Sequence, residues 1–173
     1  MRKILVVIDM QKDFIDGALG TREAVSIVDN VVDKIKSYPA ENVYATRDTH
    51  SEDYLNTNEG RNLPVIHCVK DTVGWQINEK VAKAIGNAKI IDKPTFGSVK
   101  LAEMLKSENE KEKLEIELVG LCTDICVVSN ALLLKANMPE INICVDSKCC
   151  AGVTPESHRA ALETMKMCQI EII

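Results

Sequence analysis

Aromatic residues are scarce in this chain of 173 residues, which has one tryptophan, two phenylalanines and three tyrosines, or 3% of the composition. A core must therefore be mainly aliphatic, and the place of each aromatic side chain becomes informative. Long hydrophobic runs are missing as well. None approaches the roughly 18–20 residues that span a bilayer. Met1-Arg2-Lys3 leads into a short apolar run that stops at Asp9 without a small-residue cleavage site, so no signal peptide is expected. There is no basic excess: a net charge of −5 argues against nucleic acid as a partner. No disulfide framework is legible either. Seven cysteines is an odd number at spacings of no disulfide scaffold, and they are read as reduced thiols of a cytoplasmic protein. Internal repeats and low-complexity linkers are absent, so residues 1–173 are read as one domain.

What is present is an alternation of apolar runs with amphipathic segments. Strands are expected at Lys3–Ile8, Asn42–Thr46, Val65–Cys68, Lys89–Ile91, Leu114–Val119, Ile141–Val145 and Gln169–Ile173. Helices are expected at Thr21–Ser37, Ile77–Ile85, Val99–Lys106, Asp124–Ala136 and Pro155–Met167. Strands with few polar positions, alternating with helices, predict an α/β fold of three layers, α/β/α, around a mostly parallel sheet. Such folds bind ligands at the carboxyl ends of their strands. Asp9, Asp48, His67, Lys93 and the Cys122–Cys126 segment all fall just after expected strands.

The segment Gly120-Leu121-Cys122-Thr123-Asp124-Ile125-Cys126 carries the most chemistry. A cysteine near a helix start meets unpaired N–H groups and a positive dipole end, which favour its thiolate. Cys126 could equally be an inert core thiol, or pair with Cys122 as a redox couple or half of a zinc site. The Cys-x-x-x-Cys spacing has no second pair to complete four ligands, and Cys122 is read as structural. Asp9 could cap a turn, or exchange a proton with the thiol and the leaving amine. Lys93, in the turn Asp92-Lys93-Pro94-Thr95-Phe96-Gly97, could hold the two negative charges together. Asp48 and His50, with Glu59 and His67 downstream, offer ligands for Zn²⁺, Mn²⁺ or Fe²⁺, although an Asp-x-His pair also arises by chance. His158 is expected to be structural, hydrogen-bonded to a loop. Phe14, Trp75 and Phe96 lie beside these motifs and are read as walls of a pocket for a flat ring.

These motifs resemble the isochorismatase-like cysteine hydrolases, and within them the nicotinamidases. Val6-Val7-Ile8-Asp9-Met10-Gln11-Lys12-Asp13-Phe14 is similar to the first strand and base of that family. Thr46-Arg47-Asp48-Thr49-His50 and Pro64-Val65-Ile66-His67-Cys68 resemble its metal segments, Lys93 its lysine, and Gly120 to Val127 its nucleophile motif. Asp146–Cys150 and Glu156-Ser157-His158 resemble its C-terminal signature.

The resemblance implies a six-stranded sheet and a Cys126–Asp9–Lys93 triad. It also implies an oxyanion hole from the backbone N–H groups of Cys122 and Cys126, and a cis peptide before Cys122. Phe14 and Trp75 match ring-contacting positions. The implied activity is hydrolysis of a small amide, nicotinamide first, to the acid and ammonia through a thioester, with a bound divalent metal and a homo-oligomeric state. There is one departure: Asn56 stands where many nicotinamidases have a second histidine, and Glu59, eleven residues after Asp48, matches an alternative ligand. Another small amide, carbamoyl or ureido substrate is the near alternative. A thiol-sensing protein using Cys122 and Cys126 is the alternative of a different class.

Overall fold

The structure, a computed structural model, describes residues 1–173. Six strands form one sheet: β1 (Arg2–Ile8), β2 (Val43–Asp48), β3 (Lys89–Lys93), β4 (Leu114–Leu121), β5 (Asn142–Ala151) and β6 (Glu171–Ile172). Their order is β3-β2-β1-β4-β5-β6, and every pairing is parallel. The helices are α1 (Lys12–Ile15), α2 (Arg22–Ser26), α3 (Val28–Lys36), α4 (Asn58–Asn62), α5 (Glu79–Ile85), α6 (Val99–Lys111), α7 (Val128–Asn137) and α8 (Pro155–Met167).

Period-two alternation in β1 sets the layers. Ile4, Val6 and Ile8 enter a core shared with α6, α7 and α8, whereas Leu5 and Val7 enter a second core with α3 and α5. Both faces of the central strands are therefore covered, as their unbroken apolar runs require. The winding direction reverses between β1 and β4, and the crevice outside the carboxyl ends at that reversal is where such sheets bind ligands. No helix is long and apolar enough to cross a membrane.

Several expected boundaries change. Val65–Cys68 is not a strand: β2, the strand it lies beside, is already paired on both sides, with β1 and β3. The segment instead crosses the end of β2, where the His50 N–H donates to Cys68 O and the Lys70 N–H to His50 O, both at 2.9 Å. The expected Thr21–Ser37 helix is two helices that meet at Ile27. The β5 strand runs past Val145 to Ala151, because a register irregularity lets it rejoin Gly120 and Leu121 beyond its polar stretch. The last strand shortens to Glu171–Ile172, since Gln169 takes a turn conformation at φ 64°. The segment expected to begin a helix at Asp124 opens with a π-turn over Thr123–Val127 before α7 starts at Val128.

Candidate active site

Asp9 is the first residue past β1, fully buried, with a left-handed φ of 45°. Such a conformation costs energy for a non-glycine residue, and Asp tolerates it better than most. The Thr46 hydroxyl on β2 fixes the carboxylate, donating to Asp9 Oδ1 at 2.6 Å. Lys93 ends β3, two strands away, and is 1% exposed. Its ammonium lies 2.6 Å from Asp9 Oδ2, 3.4 Å from Asp48 Oδ1 and 3.4 Å from Cys126 Sγ, and donates to Thr95 O at 3.1 Å. The three residues expected to form a triad therefore meet, although they come from three different strand ends.

Gly120 makes the approach of β4 to β1 possible. It has φ 118°, and a Cβ there would stand 2.1 Å from Ile8 O. The Leu121–Cys122 peptide is cis. The chain then turns through Thr123–Val127 and delivers Cys126, 4% exposed, to Lys93.

Burial and the nearby Asp9 carboxylate push the Cys126 thiol well above its ordinary range, and Lys93 offsets this only in part. Cys126 sits in the π-turn that runs directly into α7. Burial also raises Asp9, against the pull of Lys93. Burial alone would lower Lys93, but Asp9, Cys126 and Asp48 together hold it firmly charged. The Lys93 ammonium thus stands between Asp9 Oδ2 and Cys126 Sγ.

Asp48, His50, Glu59 and His67 form a second cluster, with one potential ligand atom from each within 4.8 Å of the others. His50 Nε2 is 2.8 Å from Asp48 Oδ2 and 3.6 Å from Glu59 Oε1. His67 Nε2 is 3.7 Å and 3.8 Å from the same two atoms. His67 Nδ1 contacts Val65 O at 2.7 Å, which orients the ring so that Nε2 faces the cluster. Burial would raise Asp48, but the imidazoles and Lys93 hold it well below the usual carboxylate range. Glu59 is pushed up by burial and by Asp48. Two imidazoles and two carboxylates converging in a buried site suit a divalent cation such as Zn²⁺, Mn²⁺ or Fe²⁺.

Both clusters open onto one cavity of about 230 Å³. Cys122, Cys126, Asp48, Glu59 and His67 supply its polar wall, and Phe14, Phe96, Ile125 and Val153 are among its apolar residues. Its volume lies below the roughly 300–1,000 Å³ of pockets for drug-sized ligands, so it suits a single small ring. Trp75 does not belong to this wall. It is 6% exposed in the core, its Nε1–H donates to Thr49 Oγ1 at 2.9 Å, and Arg47 stacks 3.6 Å from its ring centroid. The indole follows its hydrogen-bond acceptor and its cation, both of which lie away from the cavity. His158 hydrogen-bonds through Nδ1 to Thr123 Oγ1 at 2.8 Å and so steadies the turn that carries Cys126.

An isochorismatase domain model matches residues 3–173. The chain belongs to the isochorismatase family. An uncharacterized isochorismatase family protein, PncA, of Bacillus subtilis (strain 168) is 27% identical over 173 residues, covering 94% of this chain and 93% of that one. The crystal structure of the pyrazinamidase of Pyrococcus horikoshii in complex with zinc is 28% identical, with a TM-score of 0.80 over 99% of this chain and 98% of that one. The nicotinamidase/pyrazinamidase PncA of Bacillus subtilis is 26% identical, with a TM-score of 0.82 over 99% of both chains.

Sequence reasoning missed the residues that hold this family member's site in place. Gln11 is fully buried. Its Nε2 donates to Asp48 O at 2.8 Å and Trp75 O at 2.9 Å, and its Oε1 accepts from the Asp48 N–H at 2.7 Å. Asp13 Oδ2 accepts from the Cys68 N–H at 2.8 Å, which fixes the loop carrying His67. A Cβ at Gly74 would stand 2.1 Å from the same oxygen. The only signal for Gln11 and Asp13 was their closeness in sequence to Asp9.

Proposed function

We propose that the protein is a metal-containing cysteine amidohydrolase whose substrate is nicotinamide or a close single-ring amide. The observation that carries this reading is the Lys93 ammonium, within 2.6 Å of Asp9 and 3.4 Å of Cys126, beside a small cavity walled by Phe14, Phe96 and three of the four candidate metal ligands.

Asp9 takes the Cys126 proton as Sγ bonds to the amide carbon, which removes the burial penalty of a free thiolate. The Cys122 N–H has no backbone acceptor and, with the Cys126 N–H, is suited to bind the developing oxyanion. Asp9 returns its proton to the departing nitrogen, so ammonia leaves and a thioester remains. A water then loses a proton to Asp9 and its oxygen displaces Sγ, restoring the thiol and releasing the acid. Lys93 keeps Asp9 oriented and its charge compensated throughout. Asp48, His50, Glu59 and His67 would hold the cation, which when bound would supply a Lewis-acid contact for a ring nitrogen and so fix the carboxamide near Cys126.

The test is ammonia release from nicotinamide by native protein, Cys126→Ala and chelator-treated protein. Loss of activity in the last two is expected. No turnover by native, metal-loaded protein would remove nicotinamide and move the search to other amides, carbamoyl and ureido compounds.

A further inference from the structure

One buried side chain outside the triad and the metal cluster joins the nucleophile to the cavity wall. Asn130, on α7, is 1% exposed, and its amide serves three backbone groups on two segments. Its Oδ1 accepts from the Ser98 N–H at 2.9 Å, and its Nδ2 donates to Phe96 O at 3.0 Å and to Cys126 O at 2.7 Å. Phe96 lines the cavity, and Thr95 beside it supplies the carbonyl that Lys93 Nζ reaches at 3.1 Å. Ser98 caps α6 through its own hydroxyl, which accepts from the Leu101 N–H at 3.1 Å. A single amide thus sets the position of Cys126 relative to the turn that carries both the ring-facing Phe96 and the Lys93 anchor.

We propose that Asn130 is a positioning residue for the amide hydrolysis inferred above, on which the proposal rests. It acts through Cys126 to set turnover and through Phe96 and Ser98 to set substrate affinity. A role in stability alone would move neither of these separately.

Two substitutions divide the functions. Alanine removes all three contacts. Threonine at a helical position can donate to the carbonyl four residues earlier, here Cys126 O, but cannot span to Phe96 or Ser98. One hydrogen bond of ordinary strength corresponds to roughly tenfold in rate or binding. Asn130→Thr is therefore expected to keep kcat within about threefold of native while KM rises about tenfold, and Asn130→Ala to raise KM equally and also lose about tenfold in kcat. Should the alanine variant not fold, the split shown by the threonine variant still decides.

A substrate-independent reading comes from iodoacetamide, with labelling followed on the Cys126 peptide by mass spectrometry. Labelling is expected to slow in Asn130→Ala, as Sγ leaves the Lys93 ammonium, and to recover in Asn130→Thr. Native protein that labels normally but releases no ammonia from nicotinamide would refute the substrate reading, while the variant comparison still tests Asn130. Equal kcat, KM and labelling rates in all three proteins, or parallel losses that track melting temperature alone, would overturn the proposal.

Discussion

Replacing Lys93 by methionine tests the electrostatic core of the site. The ammonium is 1% exposed and pairs with Asp9 Oδ2 at 2.6 Å, with Asp48 Oδ1 next at 3.4 Å. Methionine keeps the apolar stem and removes the charge, leaving a fully buried Asp9 uncompensated. Removing one partner of a buried pair costs about 3–5 kcal/mol, a large share of the roughly 5–15 kcal/mol that holds an ordinary domain together. The orphaned Asp9 would take up a proton and cease to be a base, so activity should vanish as well.

Asp9→Asn combined with Lys93→Met removes both charges and should recover most of the lost stability without recovering activity. Urea denaturation of the native, two single-variant and double-variant proteins measures this, with chelator present so that metal binding does not add to the folded state. A Lys93→Met protein as stable and active as native would refute the reasoning. So would a double variant no more stable than the lysine variant alone.

Gly120→Ala should destabilise by at least about 3 kcal/mol in the same urea assay, because its Cβ would stand 2.1 Å from Ile8 O at a φ of 118°. Cys122→Ala should leave kcat within about threefold, since the backbone donor persists and burial holds that thiol up to about 12, far from a thiolate; a large loss would favour a Cys122–Cys126 couple. Zinc or manganese at about a hundred times its Kd should stabilise the fold by about 2.7 kcal/mol, and His50→Ala should abolish the shift in a thermal melt. Outside the site, Lys34 bridges Glu117 at 2.7 Å and Asp146 at 2.8 Å. Burial would raise the Asp146 carboxyl, but Lys34 and the Lys148 N–H hold it below its ordinary value. Its contribution to stability is therefore present above about pH 4 and lost as pH falls through the lower folded value, a loss that Asp146→Asn should remove from an acid-unfolding series.

Local pattern made the proposed catalytic positions readable. Asp9, Lys93 and Cys126 each interrupt or follow an apolar run, and parallel α/β topology places such breaks at one end of the sheet. The candidate metal cluster was readable for the same reason at Asp48, and by composition at His50 and His67. What escaped depends on partners distant in sequence. Val65–Cys68 looked like a strand because its residues are apolar, but whether a sheet edge is free is not a local property. Trp75 was assigned to the pocket by its neighbours, while its position follows Thr49 and Arg47. Asn130 carried no signal in the sequence, because only the folded chain brings Ser98, Phe96 and Cys126 around it. The upward push on the Cys126 thiol comes first from burial and then from Asp9, which reaches it from another strand end, and neither is a local property of its segment.

The most direct measurement is peptide mapping of native protein quenched in acid during turnover of nicotinamide. A nicotinoyl group on the Cys126 peptide, absent from Cys126→Ala and from protein without substrate, is the expected result. Ammonia released at an undiminished rate by Cys126→Ala would contradict the thioester route and the role assigned to this cysteine.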